Sequence, residues 1–137
     1  MSIPHRTSLP PVRTPEQLAD RWRLLAADEE VVPRTDLWVQ LFDADGHQQA
    51  SLVIVEDVPE RPAGPFAANL AGVLAELLAE QTSGVGSVAF ALSPPGPRPV
   101  GASDLEWAQA LVGACAAGGV GVLGVHVVAG PRVERVL

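Results

Sequence analysis

The chain has 137 residues, 47% of them apolar, a mean hydropathy of +0.22 and a net charge of −7. That length makes one domain, able to bury about two thirds of its unfolded surface without a disulfide or a structural metal. The acidic balance leaves no electrostatic footprint for binding a phosphate backbone, so nucleic acid is not an expected partner, and the absence of lysine removes Schiff-base chemistry and a P-loop lysine.

A single cysteine, Cys115, leaves no intrachain disulfide to form. No apolar run reaches membrane-spanning length, and Met1-Ser-Ile-Pro-His-Arg6 lacks the apolar segment of a secretion signal. The expectation is a cytoplasmic protein with no membrane partner.

Residues 1–13 carry three prolines and no periodicity, and read as a flexible tail ahead of a single domain over 14–137. Thr14-Pro15-Glu16-Gln17 predicts a helix start, with proline in the first turn and a Thr-x-x-Gln capping box; Leu18, Trp22 and Leu25 then share a face. Arg21 and Arg23 flank Trp22 as a solvated edge around a packed ring. Leu37–Phe42 and Gln49–Val55 predict a hairpin about Asp43-Ala-Asp-Gly-His47, with Gly46 supplying the positive φ. Asp43 and Asp45 resemble the opening of a calcium loop, but Gly46 comes two positions early and Ile54 falls where the last carboxylate ligand belongs. Turn chemistry accounts for both aspartates, and His47 is read as a solvated turn residue.

Pro65–Glu80 predicts a core helix with Phe66, Leu70, Val73, Leu74, Leu77 and Leu78 on one face. Val88–Leu92 predicts a buried strand ended by Ser93 and two prolines, which cannot donate to a sheet ladder. Prolines 94, 95, 97 and 99 stiffen the following loop, and Ser103-x-x-Glu106 reads as the capping box of a helix whose core face includes Leu105, Ala108, Leu111, Val112 and Cys115. Trp107 lies beside that face. Gly118-Gly119 stops the helix. Gly119-x-Gly121-x-x-Gly124 matches the dinucleotide fingerprint literally, but a helix precedes it and the strand-like Val125-His-Val-Val128 follows, the reverse of what that site needs. His126 inside this strand reads as a core histidine.

The run Val88–Asp104 resembles the JAB/MPN metalloprotease superfamily and its RadC-like branch. The family's motif is His-x-His, seven residues, Ser, two residues, Asp; the same spacing falls on Ala91, Ser93, Gly101 and Asp104, with Pro94 and Gly96 at the family's Pro and Gly. The likeness extends over about residues 37–137 and implies an α/β (α+β) domain with a mixed, curved sheet flanked by helices, of the cytidine deaminase-like type. It implies a late strand carrying His126, and makes Glu56 the nearest match to the family's general base. With Asp104 as the one remaining motif ligand, a zinc ion could not be confined, since such sites use three protein ligands and a water.

The function expected is therefore a catalytically inactive, metal-free and cofactor-free protein-binding or scaffold module. A rival from another class is a hydrolase with Ser93 as nucleophile, His126 as base and Asp104 as orienting acid. No nucleophile-elbow sequence surrounds Ser93, and Pro94 removes the backbone N–H that often serves an oxyanion hole. Self-association as a homodimer is also expected: the high apolar share, with Trp38 and Trp107, exceeds what a domain this size readily hides, and members of the resembled family commonly pair.

Overall fold

The computed structural model describes residues 9–27 and 32–137; residues 1–8, most of the expected tail, lie outside the described residues. The elements run α1 (Pro15–Ala26), β1 (Asp36–Phe42), β2 (Gln48–Val55), α2 (Phe66–Thr82), β3 (Ser87–Ser93), α3 (Ala102–Ala117), β4 (Gly121–Ala129) and β5 (Arg132–Arg135). The five strands form one mixed sheet ordered β2-β1-β3-β4-β5, in which only β3 and β4 are parallel, joined by α3 as a β-α-β crossover. The expected mixed α+β architecture, a sheet flanked by helices, is what the chain adopts.

Alternation along the strands sorts the core onto two faces. Leu37, Val39 and Leu41 of β1, Val88, Phe90 and Leu92 of β3, and Val125 and Val127 of β4 face α2 and α3. Trp38 and Phe42, Ala89 and Ala91, and Val128 face α1, where Leu18 and Trp22 cover them. A residue of β3 and its cross-strand neighbour share a face, so the register Ala91↔His126 places His126 on the α1 side. The protein is thus three layers, with the sheet in the middle.

Local chemistry sets the helix ends. Thr14 Oγ1 accepts the Gln17 N–H at 3.1 Å, and Gln17 Oε1 accepts the Thr14 N–H at 3.1 Å, completing the expected capping box. Val12, within the expected tail, is instead buried, and its N–H donates to the Gly46 carbonyl at 2.8 Å. Apolar burial and a backbone bond outweigh the entropy of releasing that segment. Gly46 has φ +88°, and a Cβ there would sit 2.4 Å from the Val12 carbonyl oxygen, so this hairpin turn needs glycine twice over. Arg21 reaches from α1 to the Gln48 side chain at 2.9 Å and to the Pro10 carbonyl, tying helix, hairpin and N-terminal segment together.

Three expectations about packing are corrected. Val73 of α2 is 50% exposed while Ala71 is buried, and Leu105, expected on the core face of α3, is 41% exposed, because helices with apolar or small residues nearly all round do not fix their own buried face. Trp38 and Trp107 are both buried, so neither contributes the surplus exposed apolar surface expected to drive self-association. Trp107 Nε1–H donates to the Pro59 and Glu60 carbonyls, both at 3.1 Å, and its ring meets Phe66 edge-on with centroids 5.6 Å apart. Finally, α3 starts earlier than expected, at Ala102, with Gly101 as its N-cap in place of Ser103.

Candidate functional site

The proline loop delivers Arg98 to the first turn of α3, where Asp104 is 1% exposed. Arg98 Nη1 donates to Asp104 Oδ2 at 2.6 Å and Nη2 to Oδ1 at 2.8 Å, a bidentate pair, and the Gly101 N–H donates to Oδ2 at 2.8 Å. Asp104 thus reaches back to the cap residue, the carboxylate half of a capping box; glycine has no side chain to supply the other half. This is why the helix begins at Gly101. Burial pushes the carboxyl pKa up, but the Arg98 hydrogen bonds, the Gly101 N–H and the guanidinium charge outweigh it, and the net position is below the ordinary value. Arg98 moves the other way, raised by the same hydrogen bonds.

Two clefts flank the carboxyl end of β3, one on each face of the sheet. On the α1 side a cavity of about 470 Å³ is lined by Arg23, Ala26, Ala27, Val32, Trp38, Ser93, Pro94, Val128, Gly130 and Pro131. On the α3 side a more polar cleft of about 320 Å³ is lined by Thr35, Pro59, Glu60, Leu92, Arg98, Ser103, Asp104 and Trp107. The first lies where the parallel strands β3 and β4 end, the edge at which open α/β sheets bind ligands. Its lining is mostly apolar, with the Ser93 hydroxyl and the Arg23 guanidinium as polar groups, and Arg23 also pairs with Asp20 at 2.7 Å.

The expected site residues separate accordingly. Ser93 lines the α1-side cavity, and Ala91 is packed in the core beneath α1. Asp104 belongs to the opposite cleft. Gly101 caps α3 through its backbone, and a Cβ there would meet open space. His126 shares the α1 face with Ala91 and Ser93 but is buried, and its Nδ1 has no hydrogen-bond partner among the described residues. Burial, then the charges of Arg135 and Arg23, pull its pKa down to about 4, so the ring is neutral at pH 7. Among the described residues no hydrogen bond links Ser93, His126 and Asp104. Glu56 stands exposed at the end of β2, ion-paired with Arg34 at 3.1 Å; Arg34 also holds the buried Asp36 at 2.9 Å. Cys115 is buried and its thiol pushed up to about 11, which leaves it protonated and unreactive.

No protein-family model matches the chain, and no curated protein does.

Among the described residues, one cluster joins three groups able to ligate a metal. Asp43, Asp45 and His47 bring their ligating atoms within 4.8 Å of one another at the hairpin turn. Asp43 Oδ1 already accepts the N–H groups of Asp45 and His47, both at 2.9 Å, so the carboxylate builds the turn as the sequence pattern implied. His47 Nδ1 lies 3.5 Å from Asp43 Oδ2. The features that sequence reading missed are the Arg98 clamp and the Trp107 bond to the 59–60 backbone. An arginine set in a proline loop six residues before a helix-start aspartate was the available signal for the first; the second joins residues 47 and 48 apart and leaves none.

Proposed function

We propose that the chain is a catalytically inactive, metal-free binding or scaffold module of the JAB/MPN-like kind, which pairs with a second copy and holds an apolar-bodied small molecule in the α1-side cavity. The observation that carries the inactive reading is the separation of Ser93 and His126 from Asp104 by the sheet. Nucleophile, base and orienting acid must hydrogen-bond in series, and a strand's thickness between base and acid prevents it. Metal chemistry by the resembled route lacks donors as well: Ala91 has none, and a neutral serine hydroxyl is a poor zinc ligand beside imidazole. The carboxylates of Asp104 and Glu56 are each engaged by an arginine.

The cavity supports the binding reading. Its volume falls in the range of small-molecule sites, and such sites combine apolar walls with a few polar groups that orient the ligand. The Arg23 guanidinium suits an anionic or carbonyl head group, with Trp38 and Val128 against the apolar body.

The test has two arms. Elemental analysis and fluorophosphonate labelling of the purified chain are expected to find no stoichiometric zinc and no adduct at Ser93; either would overturn the inactive reading. Anilinonaphthalene sulfonate, an apolar-bodied anion, is expected to brighten with the folded protein and to lose that response in Ser93→Phe, which fills the cavity. No brightening with the wild-type chain would overturn the ligand assignment.

A further inference from the structure

The two edges of the sheet are protected very differently. The β5 edge is four residues long and reads Arg132-Val-Glu-Arg135, with Arg132 and Glu134 paired to each other, the short and charged form that discourages strand addition. The β2 edge is eight residues, Gln48-Gln-Ala-Ser-Leu-Val-Ile-Val55, with no charge and no proline, and it forms the end of the sheet. Its first half is bulged: Gln40 pairs with Leu52 and Phe42 with Gln48, leaving residues 49–51 opposite Leu41 alone. The Gln40 amide fills that bulge and donates to the carbonyls of Gln49 at 2.8 Å and Ser51 at 3.1 Å. The regular, unblunted edge is therefore Leu52–Val55, where Ile54 is 43% exposed.

We propose that this edge is where the chain pairs with a second copy, the two β2 strands running antiparallel about a two-fold axis at Val53 so that two five-stranded sheets become one. The inference rests on the self-pairing part of the proposed function. A second copy is the occupant the residues favour, because a two-fold contact needs only that the strand complement itself. About Val53 it does: Leu52 falls opposite Ile54 on the α1 face and Val53 opposite Val53 on the other, all within the regular run. Glu56 lies beyond that run, toward the uncharged bulge of the other copy, so no like charges meet, which matters for a chain of net charge −7. Main-chain N–H and C=O groups left open at the edge find partners at the same time.

Sedimentation of the full chain at micromolar concentration tests it. The wild type is expected at about twice 14.3 kDa, Ile54→Lys at the monomer mass with an unchanged circular-dichroism spectrum, and Leu105→Lys, a control at an exposed residue of α3, still at the dimer mass. A wild type that is monomeric at every concentration overturns self-pairing altogether and leaves the edge to a strand from another protein. A dimer that survives Ile54→Lys, or that Leu105→Lys alone breaks, overturns the edge assignment while self-pairing stands. Should Ile54→Lys fail to fold, amide exchange of wild-type residues 52–55 decides: protection that grows with protein concentration supports the edge, and protection independent of it overturns the edge.

Discussion

Asp104 owes its role to the cost of an unpaired buried charge. Its carboxylate meets a helix N-terminus, a backbone N–H and a bidentate guanidinium, three stabilising contacts for an anion that is 1% exposed. Asp104→Ala removes the cap and strands Arg98, and is expected to lower stability by about 2 kcal/mol in denaturant unfolding, with Asp104→Asn losing less because it retains an oxygen for Gly101. Because the folded-state pKa is depressed, this contribution is present above the unfolded value of 3.8 and lost as pH falls through the lower folded value. His126 acts in a different window. Above pH 6.5 the imidazole is neutral in both states and its burial has no pH-dependent cost; between 6.5 and about 4 the unfolded chain binds a proton that the folded chain refuses. Stability is expected to fall by about 3 kcal/mol over that interval, and His126→Leu should flatten the decline. Unfolding curves at pH 7.5 and pH 4 on both proteins measure it.

At the scale of elements, a close approach between α2 and β1 depends on Gly86. A Cβ there would lie 2.3 Å from the Phe42 carbonyl oxygen and 2.7 Å from Thr82 Oγ1, so Gly86→Ala has to push helix end and strand apart. A loss of about 2–3 kcal/mol is expected, read as a lower melting temperature with unchanged secondary structure. Much of the element pattern was legible beforehand, because it is written in local chemistry. Thr14-Pro15 with Gln17, Gly46 in the turn and the prolines after Ser93 act within a few residues of themselves. What local chemistry does not carry is which face each helix covers. That choice placed Asp104 opposite Ser93, exposed Val73, and brought Trp107 to the backbone of Pro59 and Glu60. The Gly101 start was hidden for a related reason: Ser103 has the better intrinsic capping side chain, and only the buried Arg98–Asp104 pair shifts the preference upstream.

For the whole molecule, the sheet divides the interior into two unequal cores. The α2–α3 side joins the greater share of the buried residues, including Phe90, Leu74 and Leu111, whereas the α1 side relies on a smaller group around Trp22, Trp38 and Phe42. β3 contributes to both, through Phe90 on one side and Ala89 and Ala91 on the other. Cooperative units with fewer apolar contacts open first. Amides of α1 are therefore expected to exchange at lower denaturant than those of β3, which should exchange only with global unfolding; equal protection of the two in native-state hydrogen exchange would contradict this. The unequal cores also bear on kinetics, since Arg23, Ala26 and Ala27 at the end of α1 form one wall of the larger cavity. A molecule held there would be released at the rate at which one helix lifts from a sheet that stays intact, so its residence time would follow the strength of the Trp22–Trp38 contact more closely than the melting temperature of the domain.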